Sequence, residues 1–597
     1  MMKRSAATSA VLVVLAALHG RPAVAQNAGR SPAFVPVTDQ MIEKPDPGDW
    51  LMWRRTQDSW GYSPLAQITK ANVGKLKMVW TRGMGPGVME ATPLAYRGIV
   101  YLPNPGDLIH AIDGATGDLL WEYRRQLPDD IAKVFGAYSI HRNMAIYGDR
   151  IIDTSADDFA YAVDAKTGKL AWENRIVDYR ENPAQETSGP IIAAGKVISG
   201  RGCEPKGGPD ACVITAHDAK TGKEIWRVHT IPKPGEPGNE TWGDIPYDQR
   251  KHVGSWMVPS YDPELRLIYI GTSVTSPAPK FMLAGNDKKY LYHNCTLALD
   301  VDTGKMVWYY QHIVDHWDFD HPFERYLIDT AVTPDKSEVL WINPRLRPGE
   351  RRKVVTGIPG KTGIVYTLDR RTGEFLWATP TVKQNVVTKI DGATGEVTVD
   401  PDTTFSHKGE DRLVCPSVSG GKNWEAGAYS PLNNAMYFPL QNTCMTVTPI
   451  SDKPVPDSYY AIKYTVRFPE GPEGKENPEG EQKLGTIRAI SVETGRTLWK
   501  YEQRAAMMSL VATGSGLLFA GDTSGHFRAF DQDTGRILWD VNLGSPVSGF
   551  PISYLANGKQ YIAVCTGNAL QTPMLNRLAP ELHPSNSNAI FVFALGD

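Results

Sequence analysis

The residues able to do chemistry in this 597-residue chain sit in short polar segments between apolar ones. The run Asp315-His316-Trp317-Asp318-Phe319-Asp320 sets carboxylates two residues apart among aromatic rings. A carboxylate kept ionised beside a cation can accept a proton, and carboxylate oxygens suit hard cations. Arg142, in His141-Arg142-Asn143, carries a planar fork of donors matched to a carboxylate. Lys361, in Gly360-Lys361-Thr362-Gly363, is a point charge of the kind that stabilises developing negative charge. Trp256, in Gly254-Ser255-Trp256-Met257, presents an indole face on which a planar ligand can stack. Each has a plainer alternative: a solvated acidic loop for Asp318, one more structural indole for Trp256, ordinary surface polarity for the others.

Side chains so far apart in sequence need a frame to bring them together, and the sequence declares one by repetition. The unit is Ala-x-Asp-x-x-Thr-Gly-x-x-x-Trp, with the Trp eight residues after the Asp. It occurs at Asp113-Gly117-Trp121, Asp164-Gly168-Trp172, Asp218-Gly222-Trp226, Asp300-Gly304-Trp308, Asp369-Gly373-Trp377 and Asp531-Gly535-Trp539. Ser491 replaces the Asp in the unit that runs through Gly495 to Trp499, and Trp80 ends a degenerate copy, giving eight such tryptophans. An alternating strand such as Leu108-Ile109-His110-Ala111-Ile112 leads into a turn that the Asp side chain caps and the Gly completes at positive φ. A second strand then carries the Trp, a flat apolar face suited to packing between neighbouring sheets.

Antiparallel units that cannot bury their own faces must stack, and closing them into a ring removes the exposed ends. The repeat therefore predicts an all-β chain folded as an eight-bladed β-propeller with Trp-docking motifs. Ala589-Ile590-Phe591-Val592-Phe593-Ala594 is the expected closing strand, paired with an N-terminal blade. An open solenoid or two unrelated β domains is the competing arrangement. The long Trp226–Trp308 and Trp377–Trp499 intervals predict large inserted loops.

Residues 1–25 read as a secretory signal: Lys3 and Arg4, an apolar stretch from Ala10 to Leu18, and Ala23-Val24-Ala25 as a small-x-small cleavage site. That stretch is too short to cross a bilayer. Residues 26–597 are expected to form a single domain, exported to the periplasm, with no membrane span. A formal charge of −3 gives no basic surface for nucleic acid. Six cysteines in an exported chain can form disulfides, and none lies in a C-x-x-C-H haem-attachment pattern.

The repeat, over the whole mature chain, resembles that of the pyrroloquinoline-quinone (PQQ) dependent alcohol dehydrogenases of the methanol and ethanol type. Weaker versions occur in other PQQ propellers and in outer-membrane assembly proteins. The resemblance implies roles residue by residue. Asp318 matches the catalytic aspartate that takes the alcohol proton, while hydride passes to the quinone. Glu204, in Gly200-Arg201-Gly202-Cys203-Glu204, matches a carboxylate metal ligand, and Asp320 resembles the second aspartate of lanthanide-using members. The metal site so implied is Glu204, Asp318 and Asp320, holding one Ca²⁺ or lanthanide ion. Trp256 matches the indole on one face of the quinone. Glu90, Arg142, Ser155 (where Thr is usual), Lys361 and the pair Asn423-Trp424 match cofactor contacts. Cys415 and Cys444 match a disulfide of the family. Cys203 and Cys212 flank a Gly/Pro-rich loop beside Glu204 and form a second candidate bridge, with Cys295 and Cys565 left as buried thiols.

Two departures stand out. The usual Gly-Asn-Pro ligand segment is replaced by Ser273-Val274-Thr275-Ser276-Pro277, and the vicinal Cys-Cys pair by Gly136-Ala137. The second implies a roomier pocket and a bulky or secondary alcohol. Without a haem motif, electrons are expected to leave to an external acceptor such as cytochrome c. The competing functions are a non-catalytic propeller scaffold and a quinoprotein acting on sugars, aldehydes or polymer alcohols.

Overall fold

The computed structural model describes residues 34–135, 140–203, 207–276, 279–455, 461–470 and 482–596. The proposed signal lies outside them. From Pro36 onward the chain forms one body, and its strands form eight sheets of four or five strands plus two smaller ones among the described residues.

The first sheet shows how the repeat folds. Leu94–Tyr96, Ile99–Asn104, Leu108–Asp113 and Leu119–Arg124 follow one another as antiparallel neighbours. The turn between the last two is made by the motif itself: Asp113 Oδ1 accepts the N–H groups of Ala115 and Thr116 at 2.8 and 3.0 Å. Gly117 adopts φ +81°, and a Cβ there would meet the Trp80 indole at 2.9 Å. The same contact recurs around the chain. At Gly222 a Cβ would come within 2.3 Å of Trp172. The indole N–H completes the docking, as from Trp121 to the Ala165 carbonyl (3.1 Å) and from Trp308 to that of Arg370 (3.1 Å). Loss of a large aromatic side chain from such a site costs ~3–5 kcal/mol. Trp539 differs: it packs edge-on against Phe593, with ring centroids 5.3 Å apart.

The last sheet is built from both chain ends. Ile552–Ala556, Lys559–Thr566 and Ala589–Leu595 are joined by Leu76–Gly83, antiparallel to the C-terminal strand. The expected closing strand is thus in place, and the fold is an all-β propeller. The two long intervals hold insertions. The second carries the hairpin Val387–Ile390 and Val397–Val399, and a three-stranded sheet of Arg412–Val414, Cys444–Pro449 and Ile462–Arg467. The hairpin turns on a further Asp-x-x-Thr-Gly, Asp391 to Gly395, with Val399 where a Trp would follow. It docks through the Tyr310 hydroxyl, which donates to the Gly395 carbonyl (2.7 Å).

Both expected disulfides are formed, Cys203–Cys212 and Cys415–Cys444, while Cys295 and Cys565 are buried free thiols. No helix among the described residues is long and apolar enough to cross a membrane.

Candidate active site

Five side chains share one structural position. Glu90, Arg142, Thr187, Trp256 and Trp424 stand three or four residues before Leu94–Tyr96, Ala145–Tyr147, Ile191–Ala193, Ser260–Asp262 and Ala428–Ser430, each the first strand of its sheet. The chain enters every sheet there, so equivalent positions converge. Arg142, Thr187, Trp256 and Trp424, with Asn423, line one cavity of about 150 Å³. Asp318, Asp320 and Lys361 join them from the connections before Tyr326–Val332 and Ile364–Asp369.

The carboxylates and the lysine form a buried cluster. Lys361 Nζ lies 2.8 Å from Asp318 Oδ2 and 3.2 Å from Asp320 Oδ2, and the Lys361 N–H donates to the Asp320 carbonyl (3.0 Å). Asp320 Oδ1 accepts the Val274 N–H at 2.9 Å. Burial pushes the Asp318 carboxyl well above the usual range; Lys361 opposes this, and the neighbouring Asp320 and Asp315 add to it. Asp320 is as deeply buried, yet Lys361, His252 and the Val274 N–H together hold it below the usual range. Burial disfavours the Lys361 ammonium, but the charges of Asp318 and Asp320 outweigh that and raise its pKa.

Across the cavity, Arg142 Nη2 lies 2.5 Å from Glu90 Oε2, and its Nη1 donates to the carbonyls of Thr187 (3.0 Å) and Trp256 (3.3 Å). Its guanidinium carbon stands 4.9 Å from the Trp256 ring centre. The Asn423 Oδ1 accepts the Trp424 N–H (2.8 Å), while its Nδ2 donates to the Ser419 carbonyl (3.0 Å). Trp424 is wedged edge-on against Phe550.

Several polar atoms here are buried without a hydrogen-bond partner among the described residues: Arg142 Nε, Trp256 Nε1, Trp424 Nε1 and Asp318 Oδ1. Buried polar groups are nearly always paired. Donors around an indole face fit a planar, oxygen-rich ligand. Asp318 and Asp320 meet at Lys361 Nζ, and Asp318 Oδ1 is left free beside them, a carboxylate oxygen of the kind a hard cation takes.

The family described as PQQ: glucose/ethanol/alcohol dehydrogenase, β-propeller domain, matches residues 50–400 and 480–562. The chain belongs to the PQQ-dependent alcohol dehydrogenase family. It is 32% identical over 548 residues to the dehydrogenase subunit of a quinone-type alcohol dehydrogenase from Komagataeibacter europaeus, covering 87% of this chain and 72% of that one. A quinohaemoprotein alcohol dehydrogenase of Pseudomonas putida superposes with a TM-score of 0.82 at 27% identity, over 94% of this chain and 83% of that one. A europium-containing methanol dehydrogenase superposes with a TM-score of 0.80 at 25% identity, over 94% of this chain and all of that one.

Within this PQQ-dependent dehydrogenase, the cavity gathers Arg142, Trp256, Asp318, Asp320, Lys361, Asn423 and Trp424, and Glu90 is bound to Arg142. Ser155 is placed elsewhere. It does not line the cavity; its hydroxyl donates to Asp157 Oδ1 (2.5 Å) and accepts the Phe159 N–H (3.2 Å). The link from Arg150–Thr154 to Phe159–Asp164 is a tight turn closed by the Ser155 and Asp158 backbone groups. Thr187, at the entry position before Ile191–Ala193, lines the cavity. Glu204 and the pair Gly136-Ala137 lie outside the described residues.

Gln185, Ile140, Leu570 and Gln571 also line the cavity, and no sequence motif marks them. Gln185 is bridged to Gly202, which also lines the cavity and adjoins the Cys203–Cys212 disulfide. Leu570 and Gln571 belong to the connection between Lys559–Thr566 and Ala589–Leu595, a span without repeat signals. The Leu570 N–H donates to Glu90 Oε1 (3.2 Å), which ties that connection to the cavity wall.

Proposed function

We propose that this chain is an exported, periplasmic quinoprotein that oxidises an alcohol, bulky or secondary, to the aldehyde or ketone and passes the electrons to a separate acceptor, a cytochrome c. Its eight sheets of four or five strands are read as the blades of one eight-bladed propeller closed by the shared last sheet. The observation that carries the reading is the meeting of Asp318, Asp320 and Lys361 with Trp256 and Arg142 around one cavity.

In this reading Trp256 supplies the stacking face, and Arg142, Asn423 and Thr187 orient the cofactor's polar edge. Asp318 and Asp320, with Glu204, hold the cation; when bound, the quinone supplies the hydride acceptor and the cation the Lewis acid that polarises it. Asp318 takes the hydroxyl proton of the alcohol, and Lys361 steadies the negative charge that develops beside it. The second carboxylate, Asp320, and the likeness to a europium-containing enzyme favour a lanthanide over Ca²⁺. Leu570, 47% exposed at the cavity, offers apolar surface to a substrate larger than methanol.

The test is reconstitution. Protein purified without cofactor and given PQQ with either Ca²⁺ or a light lanthanide should reduce an artificial dye when primary, secondary and polycyclic alcohols are supplied, with faster turnover on the larger ones. Failure to reduce the dye with every alcohol and every cation would remove the proposed activity.

A further inference from the structure

We propose that Asp315 is the positioning residue of the proton acceptor, holding Asp318 in a left-handed backbone conformation with the help of Asn294. The inference rests on the functional reading above and deepens it.

Asp318 has φ +80°. A non-glycine residue there is uncommon and persists only where its surroundings enforce it. The Asp318 side chain does not enforce it. Its Oδ2 meets Lys361, and its Oδ1 has no hydrogen-bond partner among the described residues. The constraint comes from the backbone. Asp315 Oδ1 accepts the N–H groups of Trp317 (2.7 Å) and Asp318 (3.0 Å), and Asp315 Oδ2 accepts that of Phe319. Three successive amides thus converge on one fully buried carboxylate. Such a concave run of N–H groups needs an anion at its centre, and Asp315 provides it from within the chain.

Asn294 locks the arrangement from a neighbouring strand end. Its Nδ2 donates to Asp315 Oδ2 (3.1 Å) and to the Phe319 carbonyl (3.1 Å). Its own N–H donates to the Ser273 carbonyl (3.1 Å), next to Val274, whose N–H carries Asp320. One network therefore sets both carboxylates of the cluster. The buried Lys280, which donates to the Thr275 carbonyl (2.8 Å), supplies positive charge to Asp315. Neither Asp315 nor Asn294 lines the cavity, so both act through Asp318.

The discriminating variant is Asp315→Asn, which keeps the shape but turns one acceptor oxygen into a donor facing amides that already donate. In protein loaded with PQQ and cation, kcat should fall ~100-fold, the scale expected when a reacting group is displaced by about an ångström. KM for the alcohol should change little, and the deuterium isotope effect on kcat should rise as the chemical step becomes limiting. Asn294→Ala, which leaves the carboxylate intact, should move the same readouts in the same direction by less, and it decides the matter should Asp315→Asn fail to fold. A crystal structure of the variant should show Asp318 released from positive φ. Left-handed Asp318 surviving in that crystal, or unchanged kcat with unchanged isotope effect, would overturn the inference. A wild-type protein without turnover would instead strike the functional reading, and the Asp318 backbone in the variant crystal would still decide the role of Asp315.

Discussion

Asp318→Asn should reduce alcohol oxidation by the PQQ- and cation-loaded protein by ~10³-fold in kcat, within the range that a positioned general base contributes. The substitution is close to isosteric, and asparagine tolerates the left-handed backbone that Asp318 adopts, so the turn built on Asp315 should survive. On the proposed reading, what is lost is the proton acceptor and one anionic oxygen that would face the cation. The two losses separate experimentally. Cation affinity, followed by titration of the PQQ-loaded variant, reports the ligand role, and kcat at saturating cation reports the base role. Turnover that returns to the wild-type level once the cation is saturating would show that Asp318 only binds metal and that the proton goes elsewhere.

Lys361→Met carries the second large effect, on stability as well as rate. Lys361 is buried between two carboxylates at 2.8 and 3.2 Å, and removing one partner of such a pair strands the other charge. The cation-free protein should lose ~3–5 kcal/mol of stability in denaturant unfolding. Turnover should fall ~10²–10³-fold, the cost of deleting one group that stabilises developing negative charge. Lys361→Arg keeps the cation and should retain most of both. Adding Ca²⁺ or a lanthanide should narrow the stability gap of the Met variant, because the ion neutralises the same carboxylates. A gap that stays the same at every cation concentration would place the metal away from Asp318 and Asp320.

The fold was legible because each part of its repeat is locally encoded: an aspartate that caps its own turn, a glycine at positive φ, an indole at fixed spacing. Asp113, Gly117 and Trp80 show the three acting together. Trp539 broke the pattern because the closing sheet has no Asp-x-x-Thr-Gly turn to receive it, and Phe593 meets it instead. The hairpin at Asp391 carries the turn without the tryptophan, so the repeat pattern does not mark it.

The site was legible where chemistry and position coincide. Arg142, Trp256 and Trp424 all stand at sheet entrances, and the acidic run around Asp318 is distinctive as a sequence. Ser155 lies on a turn that folds back on itself, whereas Thr187 stands at a sheet entrance and lines the cavity. Leu570 and Gln571 had no signal, since their place depends on how the C-terminal connection crosses the cavity. The role of Asp315 is a three-dimensional property: only the convergence of three amides on its carboxylate distinguishes it from its acidic neighbours.

The central claim is that one cavity holds both the quinone and the cation, and a crystal structure of the protein loaded with PQQ and Ca²⁺ or a lanthanide tests it most directly. The account predicts a tricyclic density stacked on the Trp256 indole, with the metal ~2.3–2.6 Å from oxygens of Asp318 and Asp320. Density for the quinone or the ion at any other place, with this cavity filled only by water, would contradict it.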